Sequence, residues 1–378
     1  MKGARAGGIA VGVVLVIAFA LSPYWNASAL IMRAAGYGGW VGAAAHWNAP
    51  IVEDSLERIP VRDGSVRARL FRPAGDPQRA ALLVSGVHRD GIDEPRLITL
   101  ARELAAAGVI VLTPEIDDLI NYRLTARVTD TIEDVGRWMA TRPARFGGGK
   151  IGIIGVSFSG GLSIVAAGRP ALRDRVAYAL SFGGHGNLPR VLRYLCTGAG
   201  SWRPPHDYAL AVLLHQAAEL AVPADQVAAL RRGVELFLEA SALSRTDVQE
   251  ARRRYDAARS LERELDEPSA TLLKYVNDRN VASLGSRLVP YLDRLGQDPA
   301  LSPDRSPPPA APVYLLHGAD DNVIPATEAG LLAEHLKGKT RVRLLISPFL
   351  THVDVADRPT LRDTWEMIAF WKAVLGEY

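Results

Sequence analysis

The sequence predicts an α/β protein: a mostly parallel, doubly wound sheet with an inserted helical cap and an N-terminal apolar helix. Three observations carry this. Short apolar runs alternate with helix-like segments from residue 80 to residue 182, and the alternation resumes from 313 to 375. Such alternation builds a parallel sheet covered by helices on both faces. Between those stretches the pattern is helical, with little that reads as strand. Finally, the 378 residues are 48% hydrophobic and 22% charged, enough apolar surface to bury a substantial core, which excludes disorder.

Lys2 and Arg5 precede an uncharged stretch from Ala6 to Met32 rich in Val, Ile, Leu and Ala. A basic end before an apolar run has the form of an export signal, and this run is long enough to cross a bilayer as a helix of about 20 residues. Ala27-Ser28-Ala29 offers a cleavage pattern, whereas Leu30-Ile31-Met32 continue the run as an uncleaved anchor would. A signal-anchor or signal peptide is expected over 1–32, then a small-residue linker over 33–55. With Lys2 and Arg5 in the cytoplasm, the remainder faces outside. Secretion after cleavage is the alternative.

Ile59-Pro60-Val61 and Val66 to Phe71 flank Asp63-Gly64, a hairpin signal. Ala80 to Val84 is a continuous apolar run, the mark of a strand covered on both faces. A helix from Arg96 to Ala107 ends at Gly108, and Val109 to Leu112 is the next strand. Thr129 to Thr141 reads as helix, with Pro143 beyond its end. Lys150 to Ile154 is a strand, Gly160 to Ala167 a helix, and Val176 to Phe182 a strand. In the insertion, Thr246 to Gln249 is a capping-box candidate, and Val248, Ala251, Tyr255, Ala258, Leu261 and Leu265 recur at helical spacing. Val313 to Leu316, a helix from Ala326 to Leu336, Val342 to Ile346 and a helix from Thr360 to Leu375 complete the chain. The core therefore comprises 56–184 and 311–378, and the helical insertion 185–310.

Charge and cysteine content exclude several functions. Basic residues number 44 against 41 acidic, a net +3, so no cationic surface for nucleic acid is expected. Arg252-Arg253-Arg254 sits among Glu250, Asp256 and Glu262, as on a solvated helix face. Cys196 is the only cysteine, which rules out an internal disulfide and a cysteine-based zinc site; a buried structural thiol is expected. Gly147-Gly148-Gly149-Lys150 is not a phosphate loop, because Ile151 stands where Ser or Thr is needed and the glycines precede a strand. His88, Asp90, Asp93 and Glu94 match no metal-ligand spacing. No metal and no cofactor are expected.

The chemistry concentrates in Ile151 to Gly161: a strand, a tight Gly155-Val156-Ser157-Phe158-Ser159 turn, then a helix. Small residues let such a turn bend sharply and hold a hydroxyl clear of the backbone, with the positive end of the helix directed at it. Leu315 to Pro325 is a strand followed by an acidic loop with Asp320 and Asp321. Ser347 to Asp354 follows the last strand and contains His352.

The turn resembles the nucleophile elbow of the α/β-hydrolase superfamily, G-x-S-x-G, with Ser159 in the place of the second glycine. The later segments resemble its acid-bearing H-G-x-x-D-x-x-V-P loop and its terminal histidine loop. The elbow and acid segments broadly resemble dienelactone-hydrolase-like and prolyl-oligopeptidase-like members. The resemblance covers residues 56 to 375 without the insertion. It implies Ser157 as nucleophile, with Ser159 the alternative, Asp321 as the acid and His352 as the general base. His317 is expected to be a local hydrogen-bonding group. The oxyanion donors implied are the backbone N–H groups of Phe158 and, in the Ser85 to Gly91 loop, Val87. His88 and His185 are candidate substrate-pocket residues. The expected activity is hydrolysis of an ester, thioester or amide of a small or lipophilic acyl substrate. A non-catalytic binding scaffold and an acyltransferase are the alternatives.

Overall fold

The computed structural model describes residues 22–36, 38–47, 49–348, 350 and 360–377. One eight-stranded sheet organises the chain: β1 (Val52–Val61), β2 (Gly64–Pro73), β3 (Arg79–Val84), β4 (Val109–Pro114), β5 (Ile151–Val156), β6 (Val176–Phe182), β7 (Val313–Gly318) and β8 (Val342–Ser347). The spatial order is β1-β2-β4-β3-β5-β6-β7-β8. β1 and β2 form an antiparallel hairpin and β2 pairs antiparallel with β4, while every other pairing is parallel.

Period-two alternation divides the strand residues between two cores. Ala80, Leu82, Val84, Ile110, Leu112 and Ile153 face the helices Ala126–Ala140 and Phe158–Gly168. Ala81, Leu83, Val109, Val111, Ile154, Leu180 and Leu316 face Pro95–Ala106 and Leu361–Leu375. Burial on both sides explains why these strands read as unbroken apolar runs.

Several boundaries differ from expectation. The hairpin turn is the two residues Arg62-Asp63, since Val61 pairs directly with Gly64, which takes a φ of 123°. The expected linker over 33–55 is not featureless: Gly39–His46 is a helix and β1 begins at Val52. The helix after Thr246 is capped by Asp247, whose carboxylate accepts from the Glu250 N–H, because the chain turns helical only at Val248. Residues 1–21, most of the expected signal or anchor, lie outside the described residues. Among the described residues no helix is long and apolar enough to cross a membrane. Residues 22–34, however, are helical.

Between β6 and β7 every described element is helical, with six α-helices from Leu188–Thr197 to Val281–Leu288 followed by short 3-10 turns. Cys196 is buried on the first of these, and burial pushes its thiol up to about 12, so it stays a protonated packing group. The two ends of the insertion are tied together at its base. Asn187 Nδ2 donates to Asp304, the Leu188 N–H donates to Ser302 Oγ, and His185 Nε2–H donates to the Leu301 carbonyl at 2.8 Å. Glu328 is the knot: its Oε2 accepts from the backbone N–H groups of Gly186 and Asn187, both at 3.0 Å, and Arg190 pairs with it. Glu328→Ala would strand two backbone donors at a buried position and leave Arg190 partnered by Asp304 alone. A loss of about 2–4 kcal/mol is expected, discounted because Arg190 is partly exposed. Urea unfolding of the two proteins would read it as a lower midpoint at unchanged slope.

Candidate active site

Parallel pairing brings the chemistry to one edge. Val84 pairs with Gly155, so the loops leaving β3 and β5 run side by side. Strand order reverses between β3 and β5, since β4 lies beyond β3 and β6 beyond β5. Such a switch point opens a crevice at the carboxyl ends of the strands, where open α/β sheets bind ligands.

Ser157 stands in that crevice, between β5 and the helix Phe158–Gly168. Its backbone has φ 56° and ψ −135°, a region that a residue with a Cβ rarely enters and that costs on the order of 1–3 kcal/mol. Neighbouring strands hold it there: the Ser157 N–H donates to the Phe182 carbonyl at 2.8 Å, and the Gly183 N–H donates to Leu316 O at 2.7 Å. Small residues are needed all round the bend. A Cβ on Gly155 would lie 2.1 Å from the Ser159 carbonyl oxygen, and one on Gly160 would lie 2.4 Å from Ser181 Oγ. On the facing loop, a Cβ on Gly86 would sit 3.4 Å from the Ser157 Cβ, so the two loops approach to within a methyl group of each other. The first N–H groups of the helix lack intrahelical partners and point at this crevice, with Phe158 the first helical residue.

Ser159 has a different fate. It is fully buried, and its Oγ donates to the Ser85 carbonyl at 2.6 Å. The Ser159 hydroxyl thus tethers the turn to the loop after β3, buried and bonded where the alternative to Ser157 as nucleophile would need it presented to a substrate. Ser159→Ala is expected to lower stability by about 1–2 kcal/mol through the unpaired Ser85 carbonyl. Turnover should stay within a few-fold of wild type, which steady-state kinetics with a soluble ester would check.

The two aspartates after β7 separate clearly. Asp321 is buried, and its Oδ1 accepts from the N–H groups of Val323 at 2.8 Å and Ile324 at 3.0 Å. Its Oδ2 lies 3.6 Å from the Cβ position of Gly183 and 3.4 Å from His317 Nε2. Asp320 is half-exposed and pairs with Arg203 at 2.8 Å. His317, also buried, donates Nε2–H to the Ile324 carbonyl at 2.8 Å and so braces the acid loop. His352 lies outside the described residues. The described chain leads toward it from Ser347 at the end of β8, whose carbonyl accepts from the Ala319 N–H at 3.0 Å.

On the β3 loop, Val87 is almost wholly buried and its carbonyl accepts from Tyr208 Oη at 3.4 Å. His88 is partly exposed; its Nδ1 accepts from the Asp90 N–H at 3.2 Å, and desolvation holds its pKa below the usual imidazole value. That ring is a loop brace at the mouth of the site. His185, expected as a candidate pocket residue, is fully buried against the Phe158 ring, 5.7 Å between centroids, and gives its Nε2–H to the insertion. Burial lowers its pKa, so the ring is neutral. Its place is the wall behind the elbow, because Gly161 has no Cβ to keep the imidazole away. Among the described residues no group of three or more His, Cys, Asp or Glu side chains is arranged to hold a metal ion.

The helical insertion lies over this edge. Tyr208 reaches Val87, Arg89 on the β3 loop pairs with buried Glu239 at 2.6 Å, and Tyr194 Oη donates to the Asn322 carbonyl at 3.1 Å. A cavity of about 230 Å³ remains between the insertion and the acid loop, lined by Trp202, Arg203, Ala319, Asp321 and Pro325 among others. Sequence reasoning missed Tyr208, Glu239 and Glu328, because a lone tyrosine or glutamate on a helix looks the same whether it meets water or a distant loop.

No protein-family model and no curated protein matches the chain. Among solved structures it is similar to an esterase of the archaeon Pyrobaculum calidifontis, at 19% identity over 93% of this chain and 90% of that one, with a TM-score of 0.46. It is also similar to a bacterial brefeldin A esterase, at 15% identity over 93% and 81% of the two chains, TM-score 0.42. A third likeness is to an acylaminoacyl peptidase of Pyrococcus horikoshii, at 13% identity over 86% of this chain and 40% of that one, TM-score 0.43.

Proposed function

We propose that the chain is a serine hydrolase of the α/β-hydrolase superfamily that cleaves a small acyl ester, thioester or amide through an acyl-serine intermediate. One observation carries the reading: a serine held in a strained conformation at a strand-to-helix turn, at the switch point of the sheet, with a glycine of the facing loop within a methyl group's reach. Strain of this kind persists only where surrounding structure enforces it, and it clusters at functional sites.

In this reading Ser157 Oγ attacks the acyl carbon while His352 takes its proton, since a serine hydroxyl is a weak nucleophile near neutral pH. Asp321 orients the imidazole and stabilises the imidazolium. Its Oδ1 accepts from two backbone donors, which fix the carboxylate in place for that task. The tetrahedral oxyanion is received by the N–H groups of Phe158 and Val87, each such donor being worth about 2.7–4 kcal/mol. His352 then returns the proton to the leaving group, and water repeats the sequence to release the acid. The helical insertion acts as the cap, since Tyr208, Glu239 and Tyr194 join it to the loops at this edge. We further propose that residues 1–21 attach the protein to a membrane with the catalytic domain on the outer side, on the strength of Lys2, Arg5 and the apolar run that follows.

The test is pre-steady-state cleavage of p-nitrophenyl acetate. A burst of p-nitrophenol stoichiometric with enzyme is expected, followed by slower release of acetate. A folded protein that binds the ester but gives no burst would favour the scaffold alternative. Release of acetyl-alcohol instead of acetate, with an added alcohol at low concentration, would favour the acyltransferase.

A further inference from the structure

Residues 22–34 complete the helical layer on one side of the sheet. Ala27 and Leu30 are buried in the same core as Leu97, Ala101, Met367 and Phe370. Arg33, nine-tenths buried, pairs with Glu103 and donates to the Ala45 carbonyl at 2.8 Å, fastening this helix to Pro95–Ala106 and Gly39–His46. The second half of the long apolar run is therefore a fixed part of the domain, and Ala27-Ser28-Ala29 is folded into it. That leaves residues 6–21, 16 uncharged residues, ahead of the packed helix. As a helix they would span about 24 Å, less than the roughly 30 Å of a bilayer's hydrocarbon. A span that short draws its flanking residues into the interface.

Those flanking residues are unusual. In the layer just described Trp25, Trp40, Trp47 and Trp365 are 46%, 83%, 74% and 56% exposed, and Leu361 is 92% exposed. Tyr24, two residues into the helix, stacks on Trp365 at 5.3 Å with planes 11° apart, and Lys372 Nζ lies 4.1 Å from the Tyr24 ring. Exposed tryptophans with a neighbouring lysine, beside the point where an apolar segment joins, have the composition of a membrane-interface belt.

We propose that this helical layer rests on a lipid surface, with Trp25, Trp40, Trp47 and Trp365 in the headgroup region. The proposal rests on the membrane reading of residues 1–21 and is independent of the hydrolase chemistry. The full chain would be reconstituted into phosphatidylcholine–phosphatidylglycerol vesicles whose lipids carry bromine high on the acyl chains. Flotation and tryptophan emission would be measured on the same sample. Wild type should float and lose about half of its emission, the share held by four of its seven tryptophans. A Trp25→Phe, Trp40→Phe, Trp47→Phe, Trp365→Phe variant should float and show no quenching of the remaining indoles. Should that variant not fold, the pairs Trp40→Phe/Trp47→Phe and Trp25→Phe/Trp365→Phe serve, each expected to remove part of the quenching. Flotation without quenching, or equal fractional quenching in wild type and variants, would overturn the seat and leave the anchor standing. Absence of flotation would overturn the anchor and the seat with it.

Discussion

Ser157→Ala is expected to lower ester turnover by about 10⁴- to 10⁶-fold, the range for loss of a serine nucleophile that acts as a unit with its base. Binding of substrate should survive, because the crevice is shaped by the loops after β3 and β5 and not by one hydroxyl. Stability should change little. The Ser157 N–H bond to Phe182 is a backbone contact that alanine keeps, and alanine carries the same Cβ into the same strained φ of 56°. A stopped-flow assay for acyl-enzyme formation, run beside a thermal melt, separates the two effects. Collapse of turnover together with a large loss of stability would mean that the serine is a structural residue of the turn.

Asp321→Asn is the second large effect, a fall in kcat of about 10⁴-fold with little change in KM. The amide oxygen can still accept from the Val323 and Ile324 N–H groups, so the loop should keep its shape. In the proposed mechanism the variant would lose the negative charge that stabilises the His352 imidazolium and fixes its tautomer. Asp320→Asn supplies the contrast. Its carboxylate faces Arg203 at the half-exposed rim, and an ion pair there is worth at most about 1 kcal/mol, so turnover should hardly move. Equal losses in the two variants would contradict the assignment of the acid.

Strand-level organisation was legible because the sheet is buried on both faces. Runs such as Ala80 to Val84 and Val176 to Phe182 are too short for a buried helix and bounded by polar or turn residues, so they read as covered strands. The strand-to-helix turn was legible for a related reason: glycine at 155 and 160 is forced by contacts shorter than a Cβ allows. Ser159 shows the limit of that logic. Its small size could be read from the sequence, but its bond to the Ser85 carbonyl depends on a loop 74 residues away. His185 misled for the same reason, since a histidine after a Gly-Gly pair looks available until Gly161 and Leu301 are seen to enclose it. The division of the apolar N-terminal run was also hidden. Hydropathy is the same whether Ala27 and Leu30 meet lipid or the core formed by Phe370 and Leu97.

The most direct test of an activated serine is reaction of the folded protein with a small fluorophosphonate, followed by peptide mapping of the adduct. One adduct per chain is predicted, on Ser157, absent from Ser157→Ala and retained in Ser159→Ala. A small probe is chosen because the insertion lies over this edge of the sheet. An adduct on Ser159, or no adduct on folded wild type, would contradict the account.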